Sequence, residues 1–252
     1  MGLFACEDVY NDLKVENYKP AIVIEGLITD EIPPYYIKVF RSVAFGDSTY
    51  NNYISGAEVR LSDNEGNTEL LSMQSPGIYR ADSIRGKPGN VYSLDVKVGD
   101  SVFSSKCVMP SIMLVDSLIP IFYQDDGNNT KGYHLKLFGR KPQNDSVNFY
   151  KCLIYQNNRL INNHSYSLIF SDEHTSVQEV EFPETFALHD TAEIEIQSIT
   201  KEVFDYFLNI NMLIIDNSFI FDYQKNPHSN ISNGAFGYFQ ASAVRKIKVI
   251  IQ

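Results

Sequence analysis

Short runs of β-branched and aromatic residues, broken by Gly, Pro, Asn and Asp roughly every ten residues, fill almost the whole chain. A run of that length buries one face only when paired with others, so the pattern commits the chain to antiparallel sheets packed face to face. Ala21–Leu27 is apolar and short, bounded by Pro20 and by Thr29-Asp30. Tyr35–Arg41 starts after Pro33-Pro34, where no ladder donor is lost. Gly56–Leu61 alternates, with Ala57, Val59 and Leu61 facing in and Glu58 and Arg60 facing out. After turn residues 63–67 come Gly77–Arg80 and Val91–Val98, which puts Tyr92, Leu94, Val96 and Val98 on one face. Gly99-Asp100 is a two-residue hairpin turn into Ser101–Val108, and Met109-Pro110 ends the run. Residues 20–110 therefore predict an immunoglobulin- or prealbumin-like β-sandwich.

Residues 111–252 predict a second antiparallel β domain, a sandwich or a barrel, with one helix. Val115–Tyr123 carries Pro120 and reads as an edge or linking strand. Gly132–Phe138, Asn148–Gln156, Arg159–Ile161, Ser167–Phe170, Val177–Phe182 and Thr191–Ser198 continue the meander. The period then changes: Val203, Phe207, Ile210 and Ile214 stand at helical spacing. Thr200 is an N-cap, Ile199 and Phe204 form a hydrophobic staple, and the helix spans about Lys201–Leu213. Tyr238–Val244 and Lys246–Ile251 are the terminal strands.

Charge excludes some functions. Lys and Arg number 21 against 31 Asp and Glu, a net charge of −10, so the chain lacks the basic footprint of a general nucleic-acid binder. The same balance argues against adsorption to an anionic membrane by charge alone. No apolar run reaches the roughly 20 residues of a spanning helix.

Three widely spaced cysteines make neither a disulfide framework nor a zinc site. Cys107 and Cys152 lie in strand-like runs and read as small buried hydrophobes. Cys6 differs, because it closes Leu3-Phe4-Ala5-Cys6, a tetrapeptide that resembles a bacterial lipobox. There a signal peptidase takes the small residue in a tight pocket and the thiol carries diacylglycerol. No basic segment and no full apolar segment precede it, so the expectation is a truncated signal remnant at the start of residues 1–19. Glu7 and Asp8 resemble an acidic signal for export to the cell surface, and the polar stretch to Lys19 reads as a tether.

Catalytic chemistry has few candidates. His134, His164, His174, His189 and His228 form no metal-binding pair. No nucleophile elbow, P-loop or dinucleotide fingerprint occurs. Asp172-Glu173 falls in a loop, and Glu179 and Glu181 point outward from an alternating strand, so neither pair shows the converging carboxylates of glycoside hydrolysis. The loop at 125–129 offers oxygens for calcium but lacks a ligand register and a terminal bidentate Glu; a solvated hairpin tip is its simpler reading. Asn-x-Ser/Thr triplets at Asn128, Asn144, Asn163 and Asn230 read as incidental beside a lipobox. No enzyme, no metal and no cofactor is expected.

The most distinctive stretch is 226–239, where turn formers and glycines stand directly before a strand. Gly234 and Gly237 permit close backbone approach or positive φ. The segment is either an ordered structural crossing or a recognition loop, with Ser229, Asn230, Ile231, Gly234, Phe236, Gly237, Tyr238 and Phe239 as its residues. If it is fixed, the Asn230 amide bonds nearby backbone, and Ile231 with Phe236 or Phe239 is buried. It is expected to shape one end of the second domain.

These pieces together resemble the domain of unknown function 4249 family. The resemblance runs over the N-terminal Cys6 with its acidic residues, Ile22–Asp30, Gly56–Val59, Gly77–Tyr79, Pro88–Leu94 and Met109-Pro110. It continues through Asn148–Tyr150, the helix around Val203–Leu208 and Ser229–Phe239, where Asn233-Gly234 and Ala235-Phe236 replace the family's Gly-Gly-like pair and Leu. It implies a lipoprotein of Gram-negative bacteria, encoded beside TonB-dependent outer-membrane receptors, with no established catalytic residues. The expected function is a non-enzymatic accessory binding protein of such a receptor in nutrient uptake, held in the outer membrane by a lipid on Cys6. The cell surface is the expected face and the periplasm its alternative. The competing class is a structural or adhesive envelope lipoprotein, with a carbohydrate-active enzyme more remote.

Overall fold

The computed structural model describes residues 19–43, 52–125, 127, 130–143, 146–162, 168–173, 177–215 and 226–252. The Leu3–Cys6 tetrapeptide with its lipidation site, and the tether up to residue 18, lie outside the described residues. So do Asp126, Asn128, Asn129, Asn144, Asn163, His164 and His174.

The first half supplies β1 (Ile22–Thr29), β2 (Tyr35–Arg41), β3 (Glu58–Asp63), β4 (Thr68–Leu70), β5 (Ser72–Ser75), β6 (Ile78–Ala81), β7 (Val91–Val98) and β8 (Ser101–Val108). The second half supplies β9 (Leu114–Tyr123), β10 (Gly132–Arg140), β11 (Phe149–Gln156), β12 (Arg159–Leu160), β13 (Leu168–Ser171), β14 (Val177–Glu181) and β15 (Thr191–Ile199). Helix α1 (Lys201–Ile215), β16 (Phe236–Ser242) and β17 (Val244–Ile250) follow. The fold is mainly β, with one helix among the described residues. It is sandwich-like, and no sheet of the described residues closes into a barrel.

Four sheets result. In chain numbering their orders are β16-β1-β2-β6-β5, β4-β3-β7-β8, β14-β10-β9 and β12-β11-β15-β17, with β13 also on β11. Alternation explains the packing of the first two. Ile24, Ile28, Ile37, Val39 and Tyr79 from one sheet and Val59, Leu61, Tyr92, Leu94 and Val96 from the other are all buried, while their sequence neighbours, Thr29 apart, are more exposed. The β7–β8 hairpin turns on Gly99 at φ 58°, which matches the twist of the strands it joins. In the third sheet Leu118, Leu135 and Leu137 face in, and Lys136 pairs with Glu179 at 2.8 Å and Glu181 at 3.4 Å on the other face. Cys107 and Cys152 are free and buried, as small hydrophobes.

Helix α1 begins where its cap predicts. The Val203 N–H points at Thr200 Oγ1 at 3.5 Å, and Phe204 N–H donates to the Thr200 carbonyl at 2.9 Å. Val203, Tyr206 and Phe207 are buried with Ile199 against Phe149, Ile169 and Tyr238, so the apolar stripe lies on β11, β13 and β16.

One strand crosses the expected division at Pro110. β16 belongs to the second half in sequence but forms the edge of the first half's sheet, in parallel with β1 from Val23↔Phe236 to Thr29↔Ser242. The second half is therefore not a closed antiparallel unit. Buried side chains of both halves, Met109, Ile112 and Met113 among them, share one continuous cluster, and Ile199, Val203, Tyr206 and Phe207 form a second. β16 can dock there because Gly237 presents no side chain: a Cβ on it would stand 2.0 Å from the Ile24 carbonyl oxygen.

Candidate functional site: the 229–239 segment and the Lys151 cage

The segment before β16 is a built structure rather than a loose loop. Ser229 Oγ accepts the Ile231 N–H at 3.2 Å. The Asn230 amide imitates a strand partner: its Nδ2 donates to the Phe239 carbonyl at 2.8 Å and its Oδ1 accepts the Phe239 N–H at 2.9 Å. Ile231 and Phe239 are buried, and Phe236 is half-buried. Asn233 and Gly234 take φ 57° and 72°, the left-handed conformations that reverse the chain.

The reversal lays the segment on β8, in the first half, and not at an end of the second as expected. Ser232 N–H donates to the Ser104 carbonyl at 2.9 Å, and Ser104 N–H donates to Ser232 Oγ at 2.8 Å. Ser105 Oγ donates to the Asn230 carbonyl at 2.7 Å, and Asn233 Nδ2 donates to the Val102 carbonyl. The free polar groups of an edge strand are thereby occupied. Cys107 joins the seam, accepting the Ala241 N–H at 3.3 Å, and its burial pushes the thiol up to about 11. Ser232, Asn233 and Gly234 form an exposed knuckle beside Val102, itself 44 % exposed.

Asn230→Ala is expected to cost about 2–3 kcal/mol, because it leaves the N–H and C=O of buried Phe239 without partners. Asn230→Asp, which keeps the acceptor and loses the donor, should fall between it and the wild type. Urea unfolding measures both, and a loss below 0.5 kcal/mol for the alanine variant would remove the amide from any structural role.

A second constellation begins at Tyr238. Its ring packs against Tyr206 and Phe207 of α1 with centroids 5.2 and 4.9 Å away. Lys151 of β11, which stands opposite Gln197 of β15, sets its ammonium 3.9 Å from the Phe207 ring centroid and 5.9 Å from that of Tyr238. No described residue gives this ammonium a hydrogen bond or a carboxylate within 4 Å. Burial is the main influence on its proton affinity and pulls it down to about 8, against the weaker opposing pull of Glu25 and Glu195. Burial likewise pushes Tyr206 up to about 12 and Tyr238 higher, so both rings stay neutral.

Beside the cage runs a buried polar row between β15 and β16. Gln240 Nε2 donates to Gln197 Oε1 at 2.9 Å and to Ser242 Oγ at 2.7 Å; Ser242 Oγ donates to the Ser198 carbonyl at 2.6 Å. Gln197 Nε2 donates to Glu195 Oε1 at 2.7 Å, and Glu195 faces Lys246 at 3.4 Å. Gln240 Oε1, fully buried, has no partner among the described residues.

The structure thus brings Tyr238 to Lys151 and directs Asn230, Ser229 and Ile231 into the β8–β16 seam. Lys151, Gln197 and Gln240 escape sequence reasoning. Strict alternation puts Lys151 on the face opposite Tyr150 and Cys152, which reads as solvent, and only the landing place of α1 turns that face inward. Among the described residues no group of three or more His, Cys, Asp or Glu could hold a metal ion, and no helix is long and apolar enough to cross a membrane. The model of one family, Domain of unknown function (DUF4249), matches residues 10–248. No curated protein matches the chain.

Proposed function

Because the chain belongs to the DUF4249 family, we propose that it is an outer-membrane lipoprotein, tethered by a lipid on Cys6, that binds a TonB-dependent receptor and assists nutrient uptake without chemistry of its own. The reading takes its support from Leu3-Phe4-Ala5-Cys6 with Glu7 and Asp8 behind it, and from the geometry of the 229–239 segment. That segment is the observation that carries the binding role. A recognition element ordered in advance loses little conformational entropy when a partner docks. Ser232-Asn233-Gly234 is held by side-chain and backbone bonds to Val102 and Ser104, and it stands exposed with Val102 as an apolar neighbour.

Affinity capture of the native lipoprotein from detergent-solubilised envelopes is expected to recover a TonB-dependent receptor. Val102→Lys alters the exposed side chain while leaving the buried contacts alone. It should lower that recovery about tenfold with an unchanged melting temperature, since charge placed at an interface centre opposes docking. Recovery of no outer-membrane protein would favour a structural or adhesive envelope role instead. Cys6→Ser is expected to abolish incorporation of labelled fatty acid, and continued labelling would refute the anchor.

A further inference from the structure

Asn233-Gly234 is the one Asn-Gly pair in the chain. Both residues are exposed, and both lie in the left-handed region, at φ 57° and 72°. The Ala235 N–H points back at the Ser232 carbonyl at 3.4 Å, which gives residues 232–235 the signature of a type I′ turn. The Gly234 nitrogen is open. Its N–H has no acceptor among the described residues. Where a Cβ would stand on Gly234, nothing beyond its chain neighbours comes within 4 Å. A type II′ turn shares the positive φ of the first central residue, so turning over the 233–234 peptide converts one turn into the other. That movement swings the Gly234 nitrogen toward the Asn233 side chain. Asn157 is the contrast within the same molecule. It is also left-handed, at φ 51°, and begins the turn between β11 and β12. The residue after it is Asn158, whose side chain shields the nitrogen that would attack.

We propose that Asn233 is a self-modification site, where the chain converts its own amide to aspartate or isoaspartate and so releases the knuckle from β8. The Gly234 nitrogen gives its proton to solvent base and bonds to the side-chain carbonyl carbon of Asn233, an attack within one turn of chain. The bond from that carbon to Nδ2 breaks, and Nδ2 leaves as ammonia. Water then opens the cyclic imide at either carbonyl and leaves a carboxylate at position 233. No co-reactant besides water is needed. Asn233 Nδ2 donates to the Val102 carbonyl, and a carboxylate has no hydrogen to give there, so two acceptors meet instead. Isoaspartate also adds a carbon to the main chain, which displaces Ser232 from its two bonds to Ser104. The modification is one-way and uncovers the β8 edge as the protein ages.

The test incubates the full folded chain at pH 6 and pH 8 and reads each asparagine by peptide mass spectrometry, with isoaspartate methyltransferase labelling. Asn233 is expected to convert about tenfold or more faster than Asn157, because only glycine leaves the attacking nitrogen unshielded. Its rate should rise about tenfold or more between the two pH values, since that nitrogen must lose its proton. Gly234→Ala should slow the conversion about tenfold. Asn233→Asp, which installs one product directly, should speed hydrogen exchange at the Ser232 and Ser104 amides about fivefold or more. Conversion at Asn233 no faster than at Asn157 overturns the modification, and unchanged exchange in Asn233→Asp overturns the release. Neither readout involves the receptor, so the docking role stands or falls separately.

Discussion

Gly237→Val is expected to destabilise the protein by about 4 kcal/mol or more, enough to leave much of the chain unfolded at ambient temperature. Gly237 sits at φ 97°, which a β-branched residue does not adopt without strain. A side chain there also meets Ile24 backbone on three atoms, the oxygen at 2.0 Å, the carbon at 2.8 Å and the nitrogen at 3.0 Å. Those atoms cannot yield, since β1 is bonded to β16 on one side and β2 on the other. Gly26→Ala is the informative contrast. Its Cβ would meet only side-chain termini, Ile37 Cδ1 at 2.9 Å and Phe239 Cδ2 at 3.0 Å, so a cost of about 1–2 kcal/mol is expected. Urea unfolding of both variants checks the pair. A Gly237→Val protein within 1 kcal/mol of wild type would disprove the parallel pairing of β16 with β1.

Lys151→Met is expected to stabilise the protein at pH 7, by about 2 kcal/mol, where most core substitutions destabilise. The sign follows from proton linkage. Folding lowers the proton affinity of Lys151 from 10.5 to about 8, so between those values the unfolded chain holds a proton that the folded chain has released. Stability therefore rises with pH across that window, and below pH 8 the folded state bears the whole cost of a desolvated ammonium. Met fills similar volume and carries no charge, so its advantage should be greatest at pH 7 and shrink below about 1 kcal/mol at pH 11. Melting curves of the two proteins at both pH values test this. A variant less stable than wild type at pH 7 would mean that the Phe207 contact outweighs the lost hydration.

The elements that the sequence reveals are those whose burial is periodic. β7 alternates along its length, as does β8 from Val102 on, and their bounds, Val91–Val98 and Ser101–Val108, are those expected. The helix shows itself through its changed period and the Thr200 cap, and runs two residues beyond the expected end. β4 and β5 leave no trace, because Thr68–Leu70 is three residues long and every residue of Ser72–Ser75 is exposed. A strand without a buried face has no alternation to read. At 226–239 the local chemistry is legible: the Asn230 amide bonds backbone, Ile231 and Phe239 are buried, and Gly237 has positive φ. Its destination is not, because nothing in residues 229–242 names β1 or β8 as the strand they meet. Lys151 is hidden for the same reason. The chain spells out which residues turn inward, but not which distant element supplies the cover.

The parallel strand also dictates an order of assembly. Asp30 and Val244, 214 residues apart, are joined by a hydrogen bond at the end of the β1–β16 ladder. A nascent chain that emerges N-terminus first can form the β1–β2–β6–β5 sheet early, yet the outer edge of β1 has no partner until β16 arrives. The edge of β8 waits equally for Ser232 and Asn233. Bare edges of this kind recruit strands from neighbouring molecules. A product cut short before residue 229 thus keeps two sticky edges, and one completed through β16 has covered both.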